Sequence, residues 1–406
     1  MASLARLLGG ALPLVLVVAC GSLKQAPDPT DDAGVTPTED ADLPDAQPLP
    51  EGGDAAAPVD AEAGAGMPVR GVSPGFKFAC RTSFDGQLRC FGVGLHGALG
   101  VGTVDDSKTL VAPQVSGPLL EHAAADYRSC AVLTNGAVQC WGENRQGILG
   151  IGQLGGDRMT PQNITLPFGA RHIALGPDQT LAVLQNGDLM GWGLNFDYQL
   201  GDGTQTPRYT PVKIPGLPKK AIAAASGFNA SCAVLEDGQL MCWGLTGYLP
   251  FDAAVVGDHV MQPRVVAGLP DKAAAVSIGL TFGCARLEGG DVYCWGSNDS
   301  GQLGDGSTTD RVAPVRVKGL NDAAIALSLG GQSACALLAS GVVRCWGANT
   351  SGQLGDPTKV PHSTPITVAA AANATAIGMG SGYGCAGFAD GSLKCWGAPP
   401  LGVATP

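Results

Sequence analysis

From residue 67 onward, apolar positions fall in short runs on either side of a turn dipeptide, and the arrangement recurs along the chain. Residues 129–142, SCAVLTNGAVQCWG, are one instance: two apolar-rich segments flank Asn135-Gly136, and Trp-Gly closes the second. The same turn position is held by Asp85-Gly86, Asn186-Gly187, Asp237-Gly238, Gly289-Gly290, Ser340-Gly341 and Asp390-Gly391. The closing aromatic stands at Phe91, Trp141, Trp192, Trp243, Trp295, Trp346 and Trp396, at spacings of 50, 51, 51, 52, 51 and 50. Each unit therefore contains an antiparallel hairpin. A glycine-rich loop follows it, as in SNDSGQLGDGST (297–308), then a proline-led strand such as PVRV (314–317), then a strand of small apolar residues such as ALSLG (326–330). Four short strands per unit with regular turns predict an all-β repeat fold, and seven four-stranded units suit a closed propeller. The Ala- and Ser-rich strand is expected innermost, where blades crowd.

Two cysteines ten apart lie in six of the hairpins. A two-residue turn would place Cys130 one position out of register with Cys140. A three-residue loop, Thr134-Asn135-Gly136 with glycine left-handed, sets them face to face, at ~4.5–5.5 Å between Cα atoms and within disulfide reach. This predicts Cys80–Cys90, Cys130–Cys140, Cys232–Cys242, Cys284–Cys294, Cys335–Cys345 and Cys385–Cys395. The third unit has Leu181 and Gly191 instead, so both partners vanish together, as bonded partners should. Zinc ligands come as closer pairs with a second pair or histidines nearby, which this spacing does not provide. Each bridge closes a short loop worth about 3 kcal/mol in the chain-entropy picture, though the six need not add.

Taken together, the Cys-Ala-Leu-like strand, the Asp-Gly turn, Cys-Trp-Gly-x-Asn and Gly-Gln-Leu-Gly-Asp-Gly resemble the regulator-of-chromosome-condensation repeat. The likeness covers nearly all of 67–406 and implies a seven-bladed propeller. The paired cysteines are similar to those of bacterial exported members. Two units depart from the pattern. The third reads Asn195-Phe196-Asp197-Tyr198 where others have Asn-x-x-Gly, and the fourth replaces the whole loop after Trp243 with LTGYLPFDAAVVGDHVMQ. The last unit stops ten residues after Trp396, before any proline-led strand. MPVRG at 67–71 resembles such a strand and is expected to close the ring as the outer strand of the last blade, leaving no open edge.

The first 66 residues differ in kind. Residues 1–19 have one positive charge, Arg6, and an apolar run from Leu7 to Val18 that is too short to span a bilayer. The run ends Val17-Val18-Ala19-Cys20, which resembles a lipoprotein signal peptide cleaved before a lipidated Cys20. That assignment also accounts for the thirteenth cysteine. Ser22 is not the aspartate that resembles an inner-membrane retention signal, so an outer-membrane anchor is expected if the host has two membranes. Residues 20–66 hold eleven acidic side chains and one basic one, Lys24, among Pro, Ala and Gly, and read as a disordered acidic tether. The tether carries most of the chain's net charge of −11, and the repeats are close to neutral. Paired cysteines and export agree on an oxidising compartment, the periplasm or the cell exterior. The uncharged stretches 323–343 and 360–389 align with the hairpins of other units and read as strand pairs, not membrane spans.

Candidate chemistry is sparse. The sequence has no metalloprotease, Walker or nucleophile-elbow motif. The glycine-rich loops open no helix and so build no phosphate cradle. Asp202, Asp305 and Asp356 recur at one loop position and read as loop caps. His96, His122, His172, His259 and His362 read as scattered surface histidines, and the recurring tryptophans as inter-blade packing. No cofactor or metal is expected. No basic stripe suits nucleic acid, and the nuclear role of eukaryotic family members does not carry over to an exported chain. The remaining candidates are the irregular loops: Phe196, Asp197, Tyr198, Tyr248, Leu249, Phe251 and His259 read as a protein-binding patch. The reading is a monomeric, non-enzymatic, lipid-anchored interaction propeller in the bacterial cell envelope, bound to the membrane through Cys20 alone, whose partner is a protein or envelope component. Alternatives are an inhibitor of an envelope enzyme, a structural envelope component, or a lyase or hydrolase acting at the central channel.

Overall fold

The structure, a computed structural model, describes residues 59–61, 67–250 and 258–399, all within one compact unit, residues 53–406. The signal segment, Cys20 and most of the acidic segment lie outside the described residues. The fold is seven four-stranded antiparallel sheets arranged as the blades of a propeller, with no α-helix among the described residues. Blade two shows the plan, running from the innermost strand outward: Leu119–Ala125, Arg128–Leu133, Val138–Gly142 and Arg158–Ile164. The two middle strands are buried throughout, as strands covered by neighbouring blades on both faces must be.

The hairpin has the expected three-residue loop. Leu133 donates its N–H to the Ala137 carbonyl at 2.8 Å and accepts from Gly136 at 2.8 Å, and Gly136 is left-handed at φ 85°. Cys130 then faces Cys140. All six predicted disulfides are present, with Cα–Cα distances of 4.0 to 4.1 Å, closer than the expected facing pairs. In blade three Leu181 faces Gly191, and a Cβ on Gly191 would stand 2.9 Å from Ile214 and 3.2 Å from Leu181. Leucine and glycine together thus fill the space that a disulfide fills elsewhere.

Blades are joined through the tryptophans, as anticipated. Trp141, Trp243, Trp346 and Trp396 each donate the indole N–H to a carbonyl in the preceding blade's long loop, at Ala98, Gln199, Gln302 and Gln353, over 2.8 to 3.0 Å. The loop glycine lies flat on the ring: a Cβ on Gly201 would come within 2.6 Å of Trp243. This contact, together with φ 70°, requires glycine there.

The ring is closed by an N-terminal strand, but not by the expected one. Val59–Ala61 pairs with Leu393–Gly397 as the outer strand of the last blade. Val69–Pro74, which contains most of the MPVRG segment, is instead the inner strand of blade one and pairs with Phe78–Ser83. The turn at Gly75, whose N–H donates to the Phe78 carbonyl at 2.8 Å, folds these sequence neighbours into a hairpin and leaves the last blade's edge to a segment further upstream. The predicted tether, residues 20–66, therefore includes three residues, Val59–Ala61, that pair in the last blade's sheet. The Tyr383 hydroxyl, buried at the same seam, lies 2.9 and 2.6 Å from the Gly75 and Phe78 carbonyls. The two uncharged stretches are strands, as read: Ala324–Gly330 and Ser333–Leu338 in one, and His362–Thr367, Ala376–Met379 and Tyr383–Gly387 in the other.

Candidate protein-binding face

Antiparallel order places the Asp-Gly hairpin turns on one face of the ring and the long loops on the other, together with the tight turns that leave the inner strands. The long loops of blades two, three, five and six are each organised by a buried asparagine. In blade three, Asn195 donates to the Asp202 carboxylate at 2.9 Å and the Thr204 carbonyl at 2.7 Å, and accepts from the Leu200 N–H at 2.9 Å. Asn144, Asn298 and Asn349 are likewise buried and accept from the N–H of Leu149, Leu303 and Leu354. The aspartates act as loop caps. Asp202 accepts from Thr204 and takes Arg208 at 2.8 and 2.7 Å. Asp305 does the same with Ser307 and Arg311, and Asp356 with Thr358 and His362. Burial alone would raise the Asp202 and Asp305 carboxyls, but these donors outweigh it and hold both below the ordinary range. The Thr358 hydroxyl and amide and the His362 ring bring Asp356 down to about 2.

On this scaffold blade three carries its irregularity. Phe196 is 55% exposed. Asp197 accepts a 3.0 Å contact from His259 of blade four, and the Tyr198 ring lies 5.6 Å from the same imidazole. Tyr198 sits at φ 57°, where the equivalent residue in blades one, two, five and six is Gly97, Gly147, Gly301 or Gly352. An aromatic residue held left-handed at a glycine position costs about 1–3 kcal/mol. The structure thus brings Phe196, Asp197, Tyr198 and His259 together. It does not do so for all of the predicted patch. Leu249 is 3% exposed and packs in the core, so it is no surface anchor; the turn Thr246–Tyr248, closed by the Leu249 N–H on the Thr246 carbonyl, folds it inward. The Tyr248 side chain and Phe251 lie outside the described residues. At the position of the organising asparagine, blade four has Thr246 and blade one Gly94.

The histidines need correction: they are not scattered over the surface. His96 reaches Asp157 at 2.6 Å, His172 reaches Glu121 at 2.9 Å, and His259 reaches Asp197, each joining one blade to the next. Glu121 and His172 occupy one inner-strand position in successive blades, where blades four to six have Ala223, Ala275 and Ala326. His172 also contacts the Ala224 carbonyl at 2.8 Å, so the pair ties three blades together. Burial pulls His172 down, but the Glu121 charge and hydrogen bond and the Ala224 carbonyl prevail and lift it to about 9. His122 is buried against Trp141, and burial holds it near 3. Arg128, also missed from sequence, is fully buried and donates to Ile148, Gly176, Thr180 and Gln179, tying blade two to blade three. The available signal was a charge pair separated by one repeat period. No group of residues suited to hold a metal occurs among the described residues.

The fold and this face define a closed seven-bladed propeller, four of whose long loops stand on an asparagine-organised frame. The chain belongs to the Regulator of chromosome condensation (RCC1) repeat family, whose repeats match residues 135–183, 186–234, 289–337 and 340–386, with a second form of the repeat at 273–302 and 324–353. It is similar to the Ultraviolet-B receptor UVR8 of Arabidopsis thaliana, 31% identical over 290 residues that cover 70% of this chain and 66% of the receptor. Among solved structures, human WBSCR16 superposes with a TM-score of 0.70 at 18% identity, covering 82% of this chain and 87% of that one. Prp20p of Saccharomyces cerevisiae, which binds Gsp1p and histones, superposes at 0.67 with 21% identity, covering 82% of each. At such identities the two structures speak to the fold alone.

Proposed function

We propose that this propeller is a non-enzymatic interaction module, lipid-anchored through Cys20 in the bacterial cell envelope, that binds a partner protein through the edge where blades three and four meet. The observation that carries the reading is Tyr198. A left-handed tyrosine where four sister loops use glycine is a local cost, set against one ring contact with His259, and it stands beside the exposed Phe196 on a frame that is otherwise shared. Six disulfides support an oxidising compartment, and the Val-Val-Ala-Cys sequence before the acidic segment supports the anchor. An aromatic on a rigid frame is a suitable anchor for a partner's pocket.

The test is to hold the protein in its native envelope through Cys20, crosslink it chemically and identify what co-purifies, beside a variant carrying Phe196→Ala and Tyr198→Ala. A partner retained by the parent and lost in the variant is the expected result. The same partners in both, or none, would discard the patch and favour a structural envelope component. A Cys20→Ser variant should leave the membrane fraction; if it stays there, the anchor is not this cysteine.

A further inference from the structure

In the middle of blade one, where Phe78–Ser83 pairs with Leu88–Gly92, Arg81 stands directly opposite Arg89. Like charges in facing positions destabilise a sheet unless something neutralises them. Among the described residues, no carboxylate lies within ion-pair distance of either guanidinium. Arg89 donates to the neighbouring Leu88 carbonyl at 3.3 Å, and the Arg81 Nε is buried without a partner. Asp85, in the adjoining turn, already accepts from the Ser83 hydroxyl and the Gln87 N–H. Burial, and after it the Arg89 charge, push the Arg81 guanidinium below its ordinary value, and the pull of Asp85 does not restore it.

The fold does not ask for this pair. At the Arg81 position the other six blades have Ala131, Ala182, Ala233, Ala285, Ala336 and Ala386. A cation opposite that alanine recurs in blades six and seven, as Arg344 and Lys394, but two facing cations occur in blade one alone. Blade one also differs in what arrives beside it. Ala79 and Phe91, on the same side of the sheet as the two arginines, pack with Tyr383, Cys385, Leu393 and Cys395 of the last blade. The pair therefore faces the seam where the ring closes. In blade two the residue at the Arg89 position is Gln139, which accepts from the Ser116 N–H at 3.0 Å. Ser116 lies on the connection, 112–118, that arrives from the preceding blade's outer strand. For blade one the arriving connection is 62–68, between Val59–Ala61 and Val69–Pro74, and Glu62 is its one acidic residue.

We infer that Arg81 and Arg89 form an oxyanion-binding site at the ring-closing seam, in which one carboxylate or phosphate group is shared by the two guanidinium groups. Guanidinium is the side chain suited to this, since its planar fork donates paired hydrogen bonds to such groups and stays charged. The oxyanion has two sources: the Glu62 carboxylate of the chain's own connection, or a free oxyanion from solution. From either source it turns a repulsive rung into a tie. The site does not rest on the partner-binding reading of blades three and four.

The test melts the full chain in chloride and in about 10 mM inorganic phosphate at equal ionic strength, beside four variants. Arg81→Ala and Arg89→Gln each install the residue of blade two, so neither disturbs the frame. Glu62→Gln removes the internal source, and Arg344→Gln is the control, an arginine that faces Ala336. If a free oxyanion fills the site, phosphate should raise the Tm of the parent and of Glu62→Gln by about 2 °C or more, and both blade-one variants should lose that gain. If Glu62 fills it, phosphate should leave the parent unmoved. Glu62→Gln should then melt lower and gain the phosphate response, and adding Arg81→Ala to it should abolish that response. Arg344→Gln should follow the parent in either case. Arg81→Ala melting above the parent in both salts would mean bare repulsion and overturn the inference. A phosphate gain that survives Arg81→Ala, or no response in either the parent or Glu62→Gln, would overturn it as well.

Discussion

The long loops of blades three and five are built on the same frame and carry different tips. Both hang from a buried asparagine, Asn195 or Asn298, and both are locked to the next strand by an aspartate–arginine pair, Asp202–Arg208 or Asp305–Arg311. Between the asparagine and the glutamine that follows, blade five reads Asp-Ser-Gly and blade three Phe-Asp-Tyr. The glycine relieves backbone crowding: a Cβ on Gly301 would stand 2.5 Å from the Ser363 Cα. Blade three gives up that relief, turns Asp197 and Tyr198 onto His259 of blade four, and leaves Phe196 in solvent. Where the frame is kept and only its tip changes, the tip is where function should be sought.

The largest effect should come from imposing one loop's tip on the other. Gly301→Tyr should cost about 2–5 kcal/mol in urea unfolding, from left-handed strain and the clash at Ser363. Tyr198→Gly should leave stability within about 1 kcal/mol of the parent, as relieved strain offsets the lost His259 contact. A large loss from Tyr198→Gly would mean that the tyrosine is structural and the contrast false. Next, Asn195→Ala and Asn298→Ala should each cost about 1–3 kcal/mol, because both orphan buried loop groups. Only the first should also weaken partner binding, and equal weakening by both would dissolve the comparison.

The pH dependences sharpen the same point. Asp202 and Asp305 have depressed carboxyls in the fold. Their stabilisation is present above the ordinary carboxylate range near pH 4 and fades as pH falls below it. Asp202→Asn and Asp305→Asn should therefore flatten the acid limb of the melting curve alike, and a difference between them would show that the frames are not equivalent. His172 works in the opposite sense, since its folded value of about 9 lies above the ordinary 6.5. Its contribution is full below about pH 6.5 and is lost as pH rises through about 9. Glu121→Gln should remove the part of the alkaline decline in Tm that this pair causes, and an unchanged slope would show that the inter-blade tie is idle.

Much of the architecture was legible because it repeats. Spacing revealed the blade, the turn glycine revealed the hairpin register, and register paired the cysteines; Leu181 and Gly191 marked the blade without a bridge. Ring closure was misread because MPVRG has the look of an outer strand, whereas pairing is decided by the turn at Gly75, which makes it half of a hairpin. Leu249 was misread because an aromatic-rich irregular loop gives no sign of which apolar residue turns inward. The ties that use Glu121, His172 and Arg128 were missed because they join different blades, and a single strand's sequence does not record what the neighbouring strand presents.

The central claim, that the tip of blade three is a protein contact and that of blade five is not, is tested most directly by placing a photo-crosslinking benzoylphenylalanine at Phe196 or at the equivalent Asp299 and irradiating the native envelope. The account predicts one discrete heavier species from position 196 and none from position 299. Equal adducts at both positions, or none at 196, would contradict it.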